Sequence, residues 1–186
     1  MELRIKHMVC DRCRRTVKQK LEAIGLTVGT VELGRTEVLQ WPDNVPEQAV
    51  RQALQSEGFD LIDDPKTALV EQIKTLLINE VHHRPERLAH QNTSDFLAEK
   101  TGHDYAHLSQ LFSSQTGTTI ERFLIAQRIE RAKELLQDNQ QSIADMAVSL
   151  GYSSVPHFTN QFKSVTGQTP GQFRKAPTDR TELDQV

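Results

Sequence analysis

The 186-residue chain is predicted to combine an α+β amino-terminal unit, a linker helix and an all-α carboxyl-terminal unit. Three observations predict this. The first 64 residues order their strand and helix patterns as βαββαβ. Residues 66–81 run as a helix without a breaker. Between Thr93 and Arg174 one short unit, a helix, a Gly-centred turn and a second capped helix, occurs twice around one uninterrupted helical run. The expected boundaries are 1–64, 65–92, 93–176 and a polar tail over 177–186.

In the amino-terminal unit, Leu3 to His7 alternates apolar and polar residues as a half-buried strand does. After Met8-Val-Cys10-Asp-Arg-Cys13, a helix from Thr16 to Ile24 places Val17, Leu21 and Ile24 on one face, and Gly25 stops it. Strand patterns over 27–33 and 36–41 flank Gly34 at a tight turn. Pro42 and Pro46 bracket a loop. A helix from Glu47 to Ser56 turns Val50 and Leu54 inward, and Phe59 to Ile62 reads as a last strand. This order is that of a split ferredoxin-like unit.

Cys10 and Cys13 stand three apart at a helix start, where both sulfurs can turn toward one ion. Soft thiolates suit Cu(I), other soft ions or Zn(II). The helix N-terminus, with Arg12, Arg14 and Arg15 nearby, is expected to favour the thiolate. A redox pair is the alternative chemistry of the same spacing. With Met-x-Cys-x-x-Cys at the first strand-to-helix loop and Glu57-Gly-Phe-Asp60 before the last strand, residues 2–64 resemble the heavy-metal-associated domain of copper chaperones and metal-transporting ATPases. In that resemblance Met8 plugs the core under the loop rather than binding the ion, and a domain that has lost its metal is a further alternative.

The connector opens at Asp63-Asp64-Pro65, a natural helix start. From Lys66 to Val81, Val70, Ile73, Leu77 and Val81 recur at spacings of three and four beside Leu69 and Leu76, giving a broad apolar stripe. A homodimer would bury it as a short coiled coil, and a domain junction would bury it within one chain. His82 and His83, at the helix end, are expected to be a cap and surface pair. His103 and His107 are four apart, but Asp104 as N-cap places His103 outside the helix. Residues 84–92 are expected to be a linker or short helix.

In the carboxyl-terminal unit the first copy runs from Phe96 to Gly102, with Asp104 capping a helix that carries Leu108, Leu111 and Phe112. In the second, Ser142 caps 143–151 and Ser153 caps a helix carrying Phe158 and Phe162. Each copy has the pattern of a motif that lays its second helix in the DNA major groove. The run from Ile120 to Asp138 between them has no Gly or Pro. At about 1.5 Å per residue it spans about 28 Å, close to the roughly 34 Å between successive major grooves on one duplex face.

Leu108-Ser-Gln-Leu-Phe112, Gly117, Arg128-Ile-Glu-Arg-Ala132, Leu135-Leu136, Ile143-Ala144, Gly151-Tyr-Ser153, His157-Phe158, Gln161-Phe162-Lys163, Gly167 and Thr169-Pro170 resemble the DNA-binding domain of AraC/XylS transcriptional regulators over about eighty residues. The resemblance implies a double-stranded DNA partner. It places Tyr105, Ala106, Ser109, Gln110 and Ser113 of the first copy, and Val155, Pro156, Thr159, Asn160 and Lys163 of the second, toward the groove. Gln110 and Asn160 suit adenine and the apolar members suit thymine methyls, an A/T-leaning set. Arg174 and Lys175 are phosphate candidates. Arg128 is expected to brace the two copies, with a phosphate contact as the alternative. Leu108, Leu111, Phe112, Ile129, Leu135, Ile143, Met146, Leu150, Tyr152, Phe158, Phe162 and Phe173 are expected in the core.

Composition narrows the function classes. The net charge is −3, with nine Lys/Arg against eleven Asp/Glu in residues 1–65 and thirteen against fourteen in the remainder. Phosphate attraction must therefore be local, through Lys163, Arg174, Lys175 and helix N-termini. No apolar run approaches the ~20 residues that cross a bilayer, and no signal-peptide pattern opens the chain, so a cytoplasmic location is expected. No nucleophile-base pair, phosphate loop or open three-ligand metal site is present, so the chain is not expected to be an enzyme; a CxxC reductase is the one catalytic reading left. These observations imply a DNA-binding transcriptional regulator responsive to a soft metal or thiol state. A metal carrier that docks through its helical half is the rival.

Overall fold

The computed structural model describes residues 1–83 and 91–175. Most of the expected linker over 84–92 and the expected tail over 177–186 lie outside the described residues.

Five strand residues of alternating burial form β1 (Glu2–Lys6), with Leu3 and Ile5 inward. They are followed by α1 (Asp11–Ala23), β2 (Thr27–Glu32), β3 (Arg35–Gln40), α2 (Glu47–Gln55) and β4 (Asp60–Leu61). The strands make one sheet of order β2-β3-β1-β4, antiparallel at every pairing. Leu3, Ile5, Val28, Val31 and Val38 from the sheet meet Val17 and Leu21 of α1 and Val50 and Leu54 of α2 in one core. Period-2 alternation on strands and period-3.6 spacing on helices thus bury a common apolar layer. Gly25 and Gly34 turn the chain at φ +97° and +81°, a region that costs a side chain but not glycine. Met8 is 2% exposed in this core, the plug expected of it.

α1 starts earlier than its apolar pattern suggested. Cys10 occupies the N-cap position, so Cys13 lies in the first turn of the helix. The polar run Asp11-Arg12-Cys13-Arg14-Arg15 hid that turn, because an exposed first turn carries no apolar periodicity.

α3 (Pro65–Ile78) begins as the sequence implied, with Asp64 as N-cap accepting from Thr67 N at 2.7 Å and Pro65 in the first turn. It ends sooner than Val81 and passes into a π-helical turn, Asn79–His83. Its stripe is consumed inside the chain. Val70, Ile73, Leu77 and Ile78 share a core with Phe96 and Leu97 of α4 (Thr93–Thr101), Leu108, Leu111 and Phe112 of α5 (Tyr105–Thr116), and Ile120, Phe123 and Leu124 of α6 (Ile120–Asp138). Leu69, Leu76 and Val81 pack against it as well. These three remain half-buried.

The other half of α6 builds a second core. Ile129, Ala132 and Leu136 join Met146 and Ala147 of α7 (Ile143–Ser149), Phe158 and Phe162 of α8 (Val155–Thr166), and Phe173 of α9 (Pro170–Lys175), along with Leu150 and Tyr152. Leu135 and Ile143 border it half-buried; the other residues expected in this core are buried.

The two copies superpose in sequence at an offset of 50 residues: Phe112 with Phe162, Thr116 with Thr166, Gly117 with Gly167. The local chemistry repeats with them. Thr116 Oγ1 donates to Phe112 O and Thr166 Oγ1 to Phe162 O, both at 2.8 Å. Gly117 and Gly167 close the helices at φ +72° and +78°, supplying the left-handed C-cap.

Candidate nucleic-acid interface and thiol loop

Each second helix is held at its N-terminus by a side-chain cap. Asp104 Oδ1 accepts from His107 N at 3.0 Å, as expected. In the second copy the cap is Ser154, whose Oγ accepts from His157 N at 3.2 Å. Ser153, the expected cap, instead places its Oγ 3.1 Å from His157 Nδ1. The correction is one residue: with Pro156 in the first turn, the residue whose hydroxyl reaches the N3 amide is Ser154. Ser142 caps α7 as expected, accepting from Asp145 N at 3.1 Å.

On α5, Ala106 and Gln110 are exposed while Tyr105, Ser109 and Ser113 are half-buried. On α8, Val155, Pro156, Asn160 and Lys163 are exposed and Thr159 is half-buried. Val155 and Val165 of this helix are exposed large apolar residues, at 38% and 51%. Tyr105 differs from a free groove reader: its hydroxyl donates to Glu121 at the start of α6. Burial first, then this bond, raises the tyrosine pKa, and the same bond holds the Glu121 carboxyl below its ordinary range.

Arg174 departs from a simple phosphate contact. Its Nη2 donates to Gln141 O at 2.8 Å, tying α9 to the loop before α7. Lys163 and Lys175 are exposed. Arg128 faces the second copy: its guanidinium carbon lies 5.8 Å from the Tyr152 ring centroid, and its Nη2 lies 3.3 Å from where a Cβ on Gly151 would stand. His103 and His107 are both exposed with ring centroids 5.5 Å apart.

At the other end of the chain, Cys10 Sγ and Cys13 Sγ are 3.1 Å apart, both free and half-buried. Burial, and then the hydrogen bond to Cys10, raises the Cys13 thiol pKa; backbone hydrogen bonding at Val9 opposes this without reversing it. The expectation that nearby arginines favour the thiolate is therefore corrected for Cys13. Arg14 is spent on Val31 O and Asp11 Oδ1, each at 2.9 Å, and Arg12 and Arg15 are exposed, where water screens their charge.

The expected surface pair of histidines is corrected too. The His82 side chain is 2% exposed. Its Nε2 is hydrogen-bonded to Gln127 Oε1 at 3.1 Å and its Nδ1 lies 3.7 Å from Glu134 Oε1, both on α6. His83 is exposed but directs Nε2 onto Val9 O at 2.7 Å. Sequence reading missed Gln127, Glu134 and Glu121. A signal for Gln127 existed: it follows Phe123 by four and Leu124 by three, so an amide occupies a slot of the buried stripe. A cleft of about 720 Å³ lies between the sheet and this region, lined in part by Arg4, Asp11, Arg14, Glu71 and His83.

The helical half matches a family model described as a helix-turn-helix domain over residues 97–176. A solved transcriptional regulator from Chromobacterium violaceum, described as having an AraC-type DNA-binding domain, shares the fold. It is 24% identical with a TM-score of 0.50, over 60% of this chain and 96% of that one. The probable transcription factor PqrA of Proteus vulgaris is 34% identical over 84 residues, 45% of this chain and 69% of that protein. The chain belongs to the helix-turn-helix family that includes this probable transcription factor. An HTH-type transcriptional regulator of Staphylococcus aureus is 40% identical over 78 residues, 42% of this chain; the chain spans 10% of that relative's length. The helix-turn-helix match begins at Leu97, after α3 and the π-turn. No helix among the described residues is long and apolar enough to cross a membrane.

Proposed function

We propose that the chain is a sequence-specific, double-stranded DNA-binding transcriptional regulator whose amino-terminal unit senses a soft metal ion through Cys10 and Cys13. The observation that carries the DNA reading is the repeat itself. Two capped helices in a register of 50 residues hang from the two halves of one 19-residue helix, which is about 28 Å long. Ala106 and Gln110 on one helix and Val155, Pro156, Asn160 and Lys163 on the other are exposed to meet base edges and phosphates. The amides favour adenine and the apolar groups favour thymine methyls, so an A/T-leaning site is expected. Two such helices per chain allow one chain to read two half-sites without a second copy.

The sheet order β2-β3-β1-β4 with both helices feeding one core supports reading residues 1–64 as ferredoxin-like and heavy-metal-associated-like. Two thiolates on one tetrahedral ion, at about 2.3 Å each, sit about 3.7 Å apart, and a disulfide closes to about 2.05 Å. The observed 3.1 Å lies between, so a small rotamer change serves either chemistry. Cys10 and Cys13 would hold the ion, and no cluster of three or more His, Cys, Asp or Glu suited to a metal occurs among the described residues. Two thiolates without further protein donors suit Cu(I) better than a structural Zn(II). The bound ion would supply charge and a fixed sulfur spacing at the start of α1. The alternative trigger is exchange with an external disulfide, which takes two electrons and two protons from the thiols and returns a Cys10–Cys13 disulfide.

The half-exposed thiol pair also favours a second reading, a metal carrier, which predicts ion transfer and no preferred DNA sequence. Selection of genomic fragments by the purified chain tests both, repeated with Cu(I), Zn(II), reductant and the Cys10→Ser/Cys13→Ser variant. Enrichment of one motif whose occupancy changes with metal or reductant in the wild type alone is the expected result. Enrichment that ignores both removes the sensor, and no enrichment removes the regulator.

A further inference from the structure

The π-turn Asn79–His83 grips the molecule at two distant places. His83 Nε2 meets Val9 O at 2.7 Å, and Val9, which packs against the first helical core, immediately precedes the Cys10 N-cap. One residue earlier, the His82 ring is buried on α6 against Gln127 and Glu134. Adjacent residues of one turn therefore hold the thiol loop and the connecting helix.

The point of attachment on α6 is the seam between the two reading heads. Leu124 is the last α6 residue in the first core and Ile129 the first buried one in the second. Between and beside them the helix buries polar groups: Gln127 at 0% and Glu130 at 5% exposure. Glu130 pairs with Lys133 at 2.6 Å and Glu134 with Arg131 at 2.5 Å. Buried polar groups cost stability unless partnered, so the seam depends on its partners in a way the two apolar cores do not. A π-turn is the helical irregularity most often kept for function rather than stability.

We propose that the π-turn is a mechanical bridge: a change of sulfur separation at Cys10–Cys13 is passed by Val9 and His83 to His82, and from there to the α6 seam that orients one head against the other. This rests on the sensor reading above and specifies its regulation. The displacement needed is small. For a tetrahedral ion the sulfurs move by several tenths of an ångström, from 3.1 Å to about 3.7 Å, and for a two-coordinate ion by more; packed interfaces amplify such shifts because they switch between arrangements rather than deform. Coupling is reciprocal, so a DNA site that prefers one head orientation also changes metal affinity.

The test is hydrogen exchange on the full chain with Zn(II) or Cu(I) alone as probe, metal uptake being measured in the same samples by chelator competition. In the wild type, amides of 79–83 and 125–134 are expected to change exchange rate by about fivefold or more on loading, the lower end of ordinary coupling. His83→Ala should take up the same metal equivalents while its seam amides stay at the metal-free rate. His83→Gln, whose amide can still donate toward Val9 O, should restore the response. Uptake without a seam change in the wild type, or a full response in His83→Ala, overturns the bridge and leaves the sensor standing. No uptake by the wild type removes the sensor and the bridge together.

Discussion

Substituting Ser154 by alanine tests how the second recognition helix is held. The first turn of α8 has few unsatisfied donors, because Pro156 has no amide hydrogen and Phe158 N already bonds Ser154 O at 3.1 Å. The His157 amide is the donor that the Ser154 hydroxyl satisfies, at 3.2 Å. Losing such a cap costs about 1 kcal/mol. For a chain of this length that lowers the melting temperature by about 2–4 °C. Val155, Pro156 and Thr159 lie in or next to the turn that would fray, so DNA affinity should weaken by no more than about fivefold, the equivalent of about 1 kcal/mol. Thermal unfolding of the full chain, followed by circular dichroism beside Ser153→Ala, measures the effect. Ser153 contacts only the exposed His157 ring, so its removal should shift the melting point by less than about half as much. If Ser153→Ala proves equal or worse, the assignment of the cap is wrong.

Phe158→Ala, at a fully buried ring stacked among Tyr152 and Phe162, should cost about 3–5 kcal/mol and abolish DNA binding through loss of the second head, seen as collapse of near-ultraviolet dichroism. Lys163→Ala should lower affinity evenly across sequences and reduce the magnitude of the log K against log salt slope by about 1. Asn160→Ala should cost about 1–3 kcal/mol at one base position only, read by competition between fragments differing there. The Glu121 carboxyl, held low first by the Tyr105 hydroxyl, adds stability that is fully present above the unfolded carboxylate pKa and lost as pH falls through its lower folded value. Tyr105→Phe should move the Glu121 titration upward in carboxyl-resolved NMR and shrink that acid-range loss; an unmoved titration would show the bond is absent in solution.

Much of the candidate interface was legible because it rests on local chemistry. A cap, a left-handed glycine and an apolar period each act within one helical turn, so Asp104, Ser142 and Gly102 could be assigned from neighbours in the chain. The slip from Ser154 to Ser153 has the same origin: two serines stand side by side, and only backbone geometry selects the one whose hydroxyl reaches the third amide. The thiol pair was legible as a spacing. Its protonation was not, since the raised Cys13 pKa comes from burial and then from the hydrogen bond to Cys10, while Arg14 is turned to Val31 O and Asp11.

By itself the sequence determined the order of elements, the two head units and their spacer, and which side chains each helix offers to solvent, because these follow from periodicity and short-range hydrogen bonding. Only the tertiary structure decided where the α3 stripe is spent, whether Arg174 reaches outward or ties α9 to the loop before α7, and that His82 lies buried on α6. An apolar stripe or an imidazole carries no address in the chain. Its partner, 45 residues away for His82 and Gln127, is chosen by which surfaces come into contact when the whole chain packs.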